Sequence, residues 1–228
     1  MHDIGQEHLE NMVVVIPTLN AAATLPATLA AIGPGIAMMV VDGGSADATR
    51  DVAVAAGATV IAAPRGRGSQ LAAGIAATNT PWLLLLHADT RLGPGWRTAM
   101  AAHWRDAPDR AGYFHLALDS TRPAARRLER IVAWRCRILA LPYGDQGLLI
   151  PRALLDAVGG MRALPLMEDV DLVRRLGRHR LAPLAATATT SAARYERGGY
   201  LRRPARNLAC LALWFLGVPP RIIARFYQ

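Results

Sequence analysis

IAMMVVDGGSADATRDVAVAAGATVIA, residues 36–62, reads as a complete strand–turn–helix–strand unit. Residues 36–41 are apolar without alternation, the pattern of a strand covered on both faces. Gly43 and Gly44 supply a turn, Ser45 is placed to cap a helix reaching about Ala56, Gly57 ends that helix, and 58–62 (ATVIA) form the next strand.

The same pattern continues on both sides. Upstream, VVVIP (13–17) is an apolar run stopped by proline and followed by Thr18 and Asn20, as in a buried strand feeding a helix. Downstream, the glycine-rich loop PRGRG (64–68) leads into a helical stretch at 69–79, and WLLLL (82–86) is the most buried-looking strand of the chain. Four alternations of buried strand and helix predict a doubly wound, mostly parallel α/β sheet with helices on both faces. Ligands of such sheets bind outside the carboxyl ends of the strands. The polar residues fall there: Pro17, Thr18 and Asn20, then Asp42, then Arg65 and Arg67, then His87 and Asp89.

The second half predicts a strand at 111–118, an arginine-studded helix near 122–139, a loop at 141–146, a short strand at 147–150 and a helix from about 168. No linker or repeat interrupts it. The expected organisation is one domain over 1–200, with a nucleotide-binding half at about 12–110 and an acceptor half at 111–200, then a C-terminal helical segment, 201–228.

The chain has 228 residues, 52% hydrophobic and 19% charged, enough to bury a core. All 26 basic residues are arginine, which together with the alanine excess reads as codon bias. Their placement is uneven: residues 1–120 carry 7 arginines against 10 acids, and residues 121–228 carry 19 against 7. A basic second half suits a phosphorylated substrate or anionic lipid. No zinc-finger spacing or RNP-like aromatic signature is present, so no nucleic-acid partner is expected. Cys136 and Cys210 form no CxxC pair, which argues against disulfide, iron–sulfur or structural zinc chemistry and fits a reducing cytoplasm. The N-terminus, MHDIGQEHLENM, has acids and no apolar core, so no secretory signal is expected.

Three carboxylate sites could carry chemistry. Asp42 closes a strand before two glycines, where it could accept a base N–H or simply make a turn. His87 and Asp89 stand two apart and leave one face of the strand; Asp89 with a diphosphate and water would make a Mg²⁺ or Mn²⁺ site, and a helix cap is the plain alternative. Glu168, Asp169 and Asp171 open a helix, where carboxylates suit the macrodipole and where one could act as a general base. YGDQG (143–147) offers Asp145 and Gln146 to hydroxyl groups, or forms a turn. Arg194, Tyr195 and Arg197 could hold a leaving diphosphate or lie on the surface.

Taken together and in order, VVVIPTLN, VDGGSADAT, PRGRGSQLAAG, LLLLHADT, YGDQG and LMEDVDL resemble the family 2 glycosyltransferases of the GT-A fold, over about residues 12–200. They look closest to short bacterial members associated with radical-SAM or selenium-domain proteins. The resemblance implies a sugar transferred from a nucleotide-diphosphate donor to an acceptor hydroxyl, with inversion and a divalent metal, Mg²⁺ or Mn²⁺. It further implies that Pro17, Thr18, Asn20, Asp42, Arg65, Arg67 and Asp89 hold the donor, and that Asp89 binds metal with His87 beside it. Asp169 would be the base, supported by Glu168, with Asp145 and Gln146 facing a small-molecule or lipid-linked acceptor. His87 replaces the first aspartate of the DxD element, which puts metal preference in doubt, and Ala21 replaces a frequent glutamate.

Residues 200–228 mix apolar and arginine side chains. They could lie in a bilayer interface at the inner face of the membrane, or form a helical pair packed on the core. Two rival functions remain open. A nucleotidyltransferase acting on a sugar phosphate would need a basic glycine-rich loop after the first strand, where PTLNAAA stands. A catalytically silent nucleotide-sugar binder would not need Asp42, Asp89 and Asp169 together.

Overall fold

The structure, a computed structural model, describes residues 9–200 and 202–227, without the side chains of Arg194 and Tyr227. Most of the N-terminal stretch read for a secretory signal, residue 201 and residue 228 therefore lie outside the described residues, as does the proposed role of the Arg194 side chain.

The nucleotide half follows the sequence pattern closely. Strand β1 (Met12–Thr18) is buried throughout; helix α1 (Leu25–Ile32), β2 (Ala37–Asp42), α2 (Thr49–Ala55), β3 (Thr59–Ala62), α3 (Arg67–Ala76) and β4 (Trp82–Leu85) follow. These strands lie in the order β3-β2-β1-β4, all parallel. Alternate side chains of β1 face opposite layers: Val14 and Ile16 pack with Leu25, Leu29 and Ile32 of α1, whereas Val13 and Val15 pack with Leu71 and Ile75 of α3.

Ser45 does not cap α2. That helix starts at Thr49 behind Ala48, and the Ser45 hydroxyl turns back onto the Asp42 carboxylate. A short polar side chain two or three residues after an aspartate is satisfied locally before it can reach a helix.

Beyond β4 come β5 (Thr90–Leu92), α4 (Trp96–Asp106), β6 (Ala111–Leu118), α5 (Pro123–Leu139), a 3₁₀ turn (Gly144–Gln146), β7 (Leu148–Pro151), α6 (Arg152–Ala157), α7 (Glu168–Leu176) and β8 (Leu181–Thr190). The same sheet continues β4-β7-β6-β8-β5, now mixed: β4–β7, β7–β6 and β8–β5 are antiparallel and β6–β8 is parallel. Sequence reading missed β5 and α4, because the Gly93-Pro94-Gly95 turn hides a three-residue strand and the helix behind it carries charge on its outer side.

Two pairings set up the site. Opposite strand directions place Leu85, at the end of β4, beside Leu148, at the start of β7, so the loop carrying His87 meets the turn carrying Asp145. The Thr90–Thr190 pair, with hydroxyls 2.9 Å apart, then locks the Asp89 loop to the end of β8, and Thr190 also donates to the Asp145 carbonyl at 3.0 Å.

Three further helices follow: α8 (Ala193–Gly198), α9 (Arg202–Phe215) and α10 (Pro220–Tyr227). Cys210, Leu211 and Ile223 bury one side of this pair against Leu141, Leu166, Met167, Val170 and Val173. The described residues hold no helix long and apolar enough to cross a membrane.

Candidate active site

Two connected concavities open at the carboxyl ends of the parallel strands. The larger, about 520 Å³, is lined by Pro17, Thr18 and Asn20 at the end of β1 and just after it, Arg65 just before α3 and Arg67 at its start, and His87 and Asp89 after β4. The smaller, about 110 Å³, is lined by His87, Asp89, Arg67, Asp145 and Asp169 and is roofed by Tyr195, Arg203 and Asn207. His87, Arg67 and Asp89 belong to both, so residues from four loops far apart in sequence share one crevice.

Asp42 is absent from that lining. It is fully buried, and its carboxylate accepts hydrogen bonds from the Ser45 hydroxyl, the Ser45 and Gly44 amides at 3.0 and 3.2 Å, and the Thr18 hydroxyl at 3.4 Å, with Arg50 at 3.3 Å. Burial opposes its ionisation, but the Ser45 and Gly44 hydrogen bonds and Arg50 outweigh burial and hold the carboxyl below its usual value. Asp42 thus lines neither concavity in this structure; it braces Thr18 and the turn beneath the cleft. Asn20, at φ 50°, is likewise engaged: its Oδ1 accepts from the Ala46 amide at 2.9 Å, and its amide donates to Ser45 Oγ at 2.9 Å.

Asp169 is presented by the first turn of α7. Its Oδ2 accepts from the Gly144 amide at 2.8 Å and its Oδ1 from the Val170 amide at 2.8 Å, which fixes the carboxylate at the wall shared with His87. Gly144 leaves room for both side chains: a Cβ there would sit 2.6 Å from His87 Nε2 and 3.4 Å from Asp169 Oδ2, so a larger residue would displace His87. Met167, just before the helix, holds φ 64°, a left-handed conformation that costs a non-glycine residue about 1 kcal/mol or more, so the surrounding packing pins the start of α7.

Glu168 is turned toward Arg67. It is 1% exposed, its Oε1 is paired with Arg67 Nε at 2.8 Å, its Oε2 is buried without a hydrogen-bond partner, and it borders a small apolar pocket with Leu71, Leu172 and Val173. Burial, and then the Asp169 charge, push its carboxyl up to about 7 against the pull of Arg67. It shares that apolar pocket with His87, Gly144 and Asp169, does not line the smaller cavity of Asp89 and Asp145, and anchors Arg67. Gly68 makes that approach possible, since a Cβ there would meet the Leu164 carbonyl at 2.6 Å.

This shift has a measurable consequence. The folded chain holds the Glu168 proton more tightly than the unfolded chain, so the stability it contributes is complete below about pH 4.5 and is lost as pH rises through about 7, on the order of 3 kcal/mol. Glu168→Gln, which cannot titrate, should lack that decline; parallel unfolding free energies for the two proteins from acid to neutral pH would contradict the assignment.

Asp145 reaches the cavity with a buried, unpartnered Oδ1, and burial raises its carboxyl, helped by Asp169 and Asp89 and opposed by Arg135 and Arg67. Gln146 does not face the cavity. Its amide donates to the Phe114 carbonyl at 2.9 Å, and its Oε1 accepts from Arg135, Cys136 and Tyr143, so it stitches the turn to β6 and α5.

Several residues escaped sequence reading. Gln70 donates to the carbonyls of Thr18 and Val41 at 2.8 and 2.7 Å, tying together the ends of β1 and β2 under the cleft. Tyr143, stacked 3.5 Å under the Arg135 guanidinium, and the roof residues Arg203 and Asn207 also carried no recognisable signal. Arg203 Nε and Asn207 Oδ1 are buried without partners. Among the described residues no three His, Cys, Asp or Glu side chains converge as a metal-binding group.

Comparison with known proteins places this geometry. The profile of the family described as Glycosyl transferase family 2 matches residues 13–165. An uncharacterised glycosyltransferase of Mycobacterium tuberculosis (strain ATCC 25618 / H37Rv) and one of Mycobacterium bovis are each 45% identical over 83 residues, 36% of this chain; the match spans 38% of the length of these curated relatives. Among solved structures, glucosyl-3-phosphoglycerate synthase from Mycobacterium tuberculosis, in complex with Mn²⁺, UDP and glucosyl-3-phosphoglycerate, is similar with a TM-score of 0.61 at 20% identity, covering 95% of this chain and 85% of that one. Staphylococcus aureus TarS 1–349 in complex with UDP is similar with a TM-score of 0.63 at 14% identity, covering 83% and 62% respectively. These likenesses share the α/β architecture described above.

Proposed function

This chain belongs to glycosyl transferase family 2, and on that premise we propose that it transfers a sugar from a nucleoside-diphosphate donor to an acceptor hydroxyl with inversion. The observation that carries the proposal is the convergence of Asp89 and Asp169 on one 110 Å³ cavity that opens into the larger cleft. Family membership sets aside the nucleotidyltransferase reading.

The nucleotide would lie in the cleft over Pro17, Thr18 and Asn20, with Arg65 and Arg67 toward its phosphates. Similar structures that hold UDP, one of them with Mn²⁺, support this placement. Asp89 offers the hard oxygen that Mg²⁺ or Mn²⁺ prefers, His87 stands beside it in the cleft, and donor phosphates and water would complete the coordination. A divalent cation there would neutralise charge developing on the leaving diphosphate.

In the single displacement, the acceptor oxygen forms a bond to the anomeric carbon as the bond from that carbon to the diphosphate oxygen breaks, and the hydroxyl proton passes to Asp169. The two amide hydrogen bonds to Asp169 hold it in place for that transfer. Asp145, with its free Oδ1, would take an acceptor hydroxyl. The half at about 12–110 thus binds donor and the half at 111–200 acceptor, a small molecule or a lipid-linked one, in a cytoplasmic enzyme whose residues 201–228 lean toward the membrane.

The test is to incubate the protein with a panel of nucleotide-sugars and Mn²⁺ or Mg²⁺ and to follow free nucleoside diphosphate. Release that requires the metal supports the proposal; release of pyrophosphate, or binding without turnover, overturns it.

A further inference from the structure

Helix α5 is apolar on two sides. Ala125, Leu128, Val132 and Cys136, spaced three and four apart, are buried against the sheet. Ile131, Trp134 and Ile138 repeat the same spacing on another side and are 61%, 56% and 41% exposed. A soluble helix needs one apolar stripe to pack, and the second has no partner within the described chain.

The C-terminal helices repeat this arrangement. While Cys210, Leu211 and Ile223 face inward, Leu208, Phe215, Ile222 and Phe226 stay exposed. Of the large hydrophobic side chains that are exposed among the described residues, all but Val54 lie on α5 or between Leu208 and Phe226.

The two stripes are neighbours. Arg178 hydrogen-bonds the carbonyl of Ile138 at the end of α5, and Arg174, four residues earlier, stacks its guanidinium 4.6 Å from the Phe215 ring. The end of α7 and the turn that follows it therefore lie between the two stripes.

We propose that α5, α9 and α10 form one docking face for an anionic lipid bilayer, on which the protein lies without crossing it. The charge of the face selects this occupant. Residues 202–227 contain five arginines and no acid, and the one acid of α5, Glu129, is paired with Arg126 at 2.8 Å. Exposed Arg127, Arg130 and Arg137 flank the α5 stripe, and exposed Arg221 and Arg225 flank that of α10. Apolar side chains entering the acyl boundary with arginines at headgroup level are the chemistry of an interfacial helix. A second copy of the chain would instead bring arginine against arginine. The inference is independent of the catalytic reading, since a catalytically inactive chain would bind equally well.

The test is cosedimentation of the full chain with vesicles of phosphatidylcholine alone and of phosphatidylcholine mixed with phosphatidylglycerol. Pelleting is expected with the anionic vesicles only, weakening at high salt. Trp134→Glu with Ile138→Glu should abolish it, as should Phe215→Glu with Phe226→Glu. Arg127→Gln and Arg130→Gln should each weaken it roughly fivefold, the contribution of one basic residue at an anionic surface. Circular dichroism checks that each variant is folded, and the arginine variants remain informative should a glutamate pair unfold the chain. Equal binding to neutral vesicles, indifference to the α5 substitutions, or a dimer that these substitutions dissociate in the absence of any pelleting would overturn the proposal.

Discussion

Asp169→Asn is expected to lower the rate of sugar transfer by about two to four orders of magnitude while leaving nucleoside-diphosphate binding within about twofold, the loss typical of a missing general base. Asparagine is the informative replacement because its amide oxygen can still accept from the Gly144 amide, which Asp169 Oδ2 now does at 2.8 Å, so the wall of the cavity stays in place while basicity is removed. Measured under saturating donor and metal, the loss should appear in kcat. A variant that retains more than a tenth of the rate would move the base elsewhere, Asp145 being another carboxylate on the same cavity.

The second large effect concerns the donor side. Asp89→Ala should reduce kcat/KM by roughly two to three orders of magnitude, the scale of a removed electrostatic contact to a leaving group, and should weaken metal-dependent binding of nucleoside diphosphate with it. The distinguishing readout is calorimetric titration with nucleoside diphosphate, with and without Mn²⁺: the metal-induced gain in affinity should vanish in the variant. A gain that survives would show that His87 or the donor alone holds the cation.

These two carboxylates were legible in the sequence because each ends or begins an element with a strong pattern. Four apolar residues deliver the Asp89 loop, and an acidic first turn opens α7. The parallel half of the sheet was legible for the same reason, since VVVIP, AMMVV and WLLL can only be buried. What stayed hidden depends on contacts between elements. An amide such as Gln146 looks the same in sequence whether it faces a ligand or the Phe114 carbonyl, and no pattern tells that Ser45 folds onto Asp42 instead of capping the next helix. Arg203 and Asn207 reach the cavity only because α9 docks beside Met167 and Val170, a placement that no periodicity encodes. The mixed half of the sheet was hidden likewise: strand direction there follows from which loops cross the sheet end, whereas apolar pattern records only burial.

The most direct measurement is the position of Mn²⁺, located by its anomalous scattering in crystals of the protein soaked with the metal and a nucleoside diphosphate. The account places the ion within coordination distance of the Asp89 carboxylate, with the diphosphate beside it in the cleft over Thr18 and Asp169 across the smaller cavity. An ion bound at Glu168 and Asp169, or a diphosphate lying outside that cleft, would contradict it.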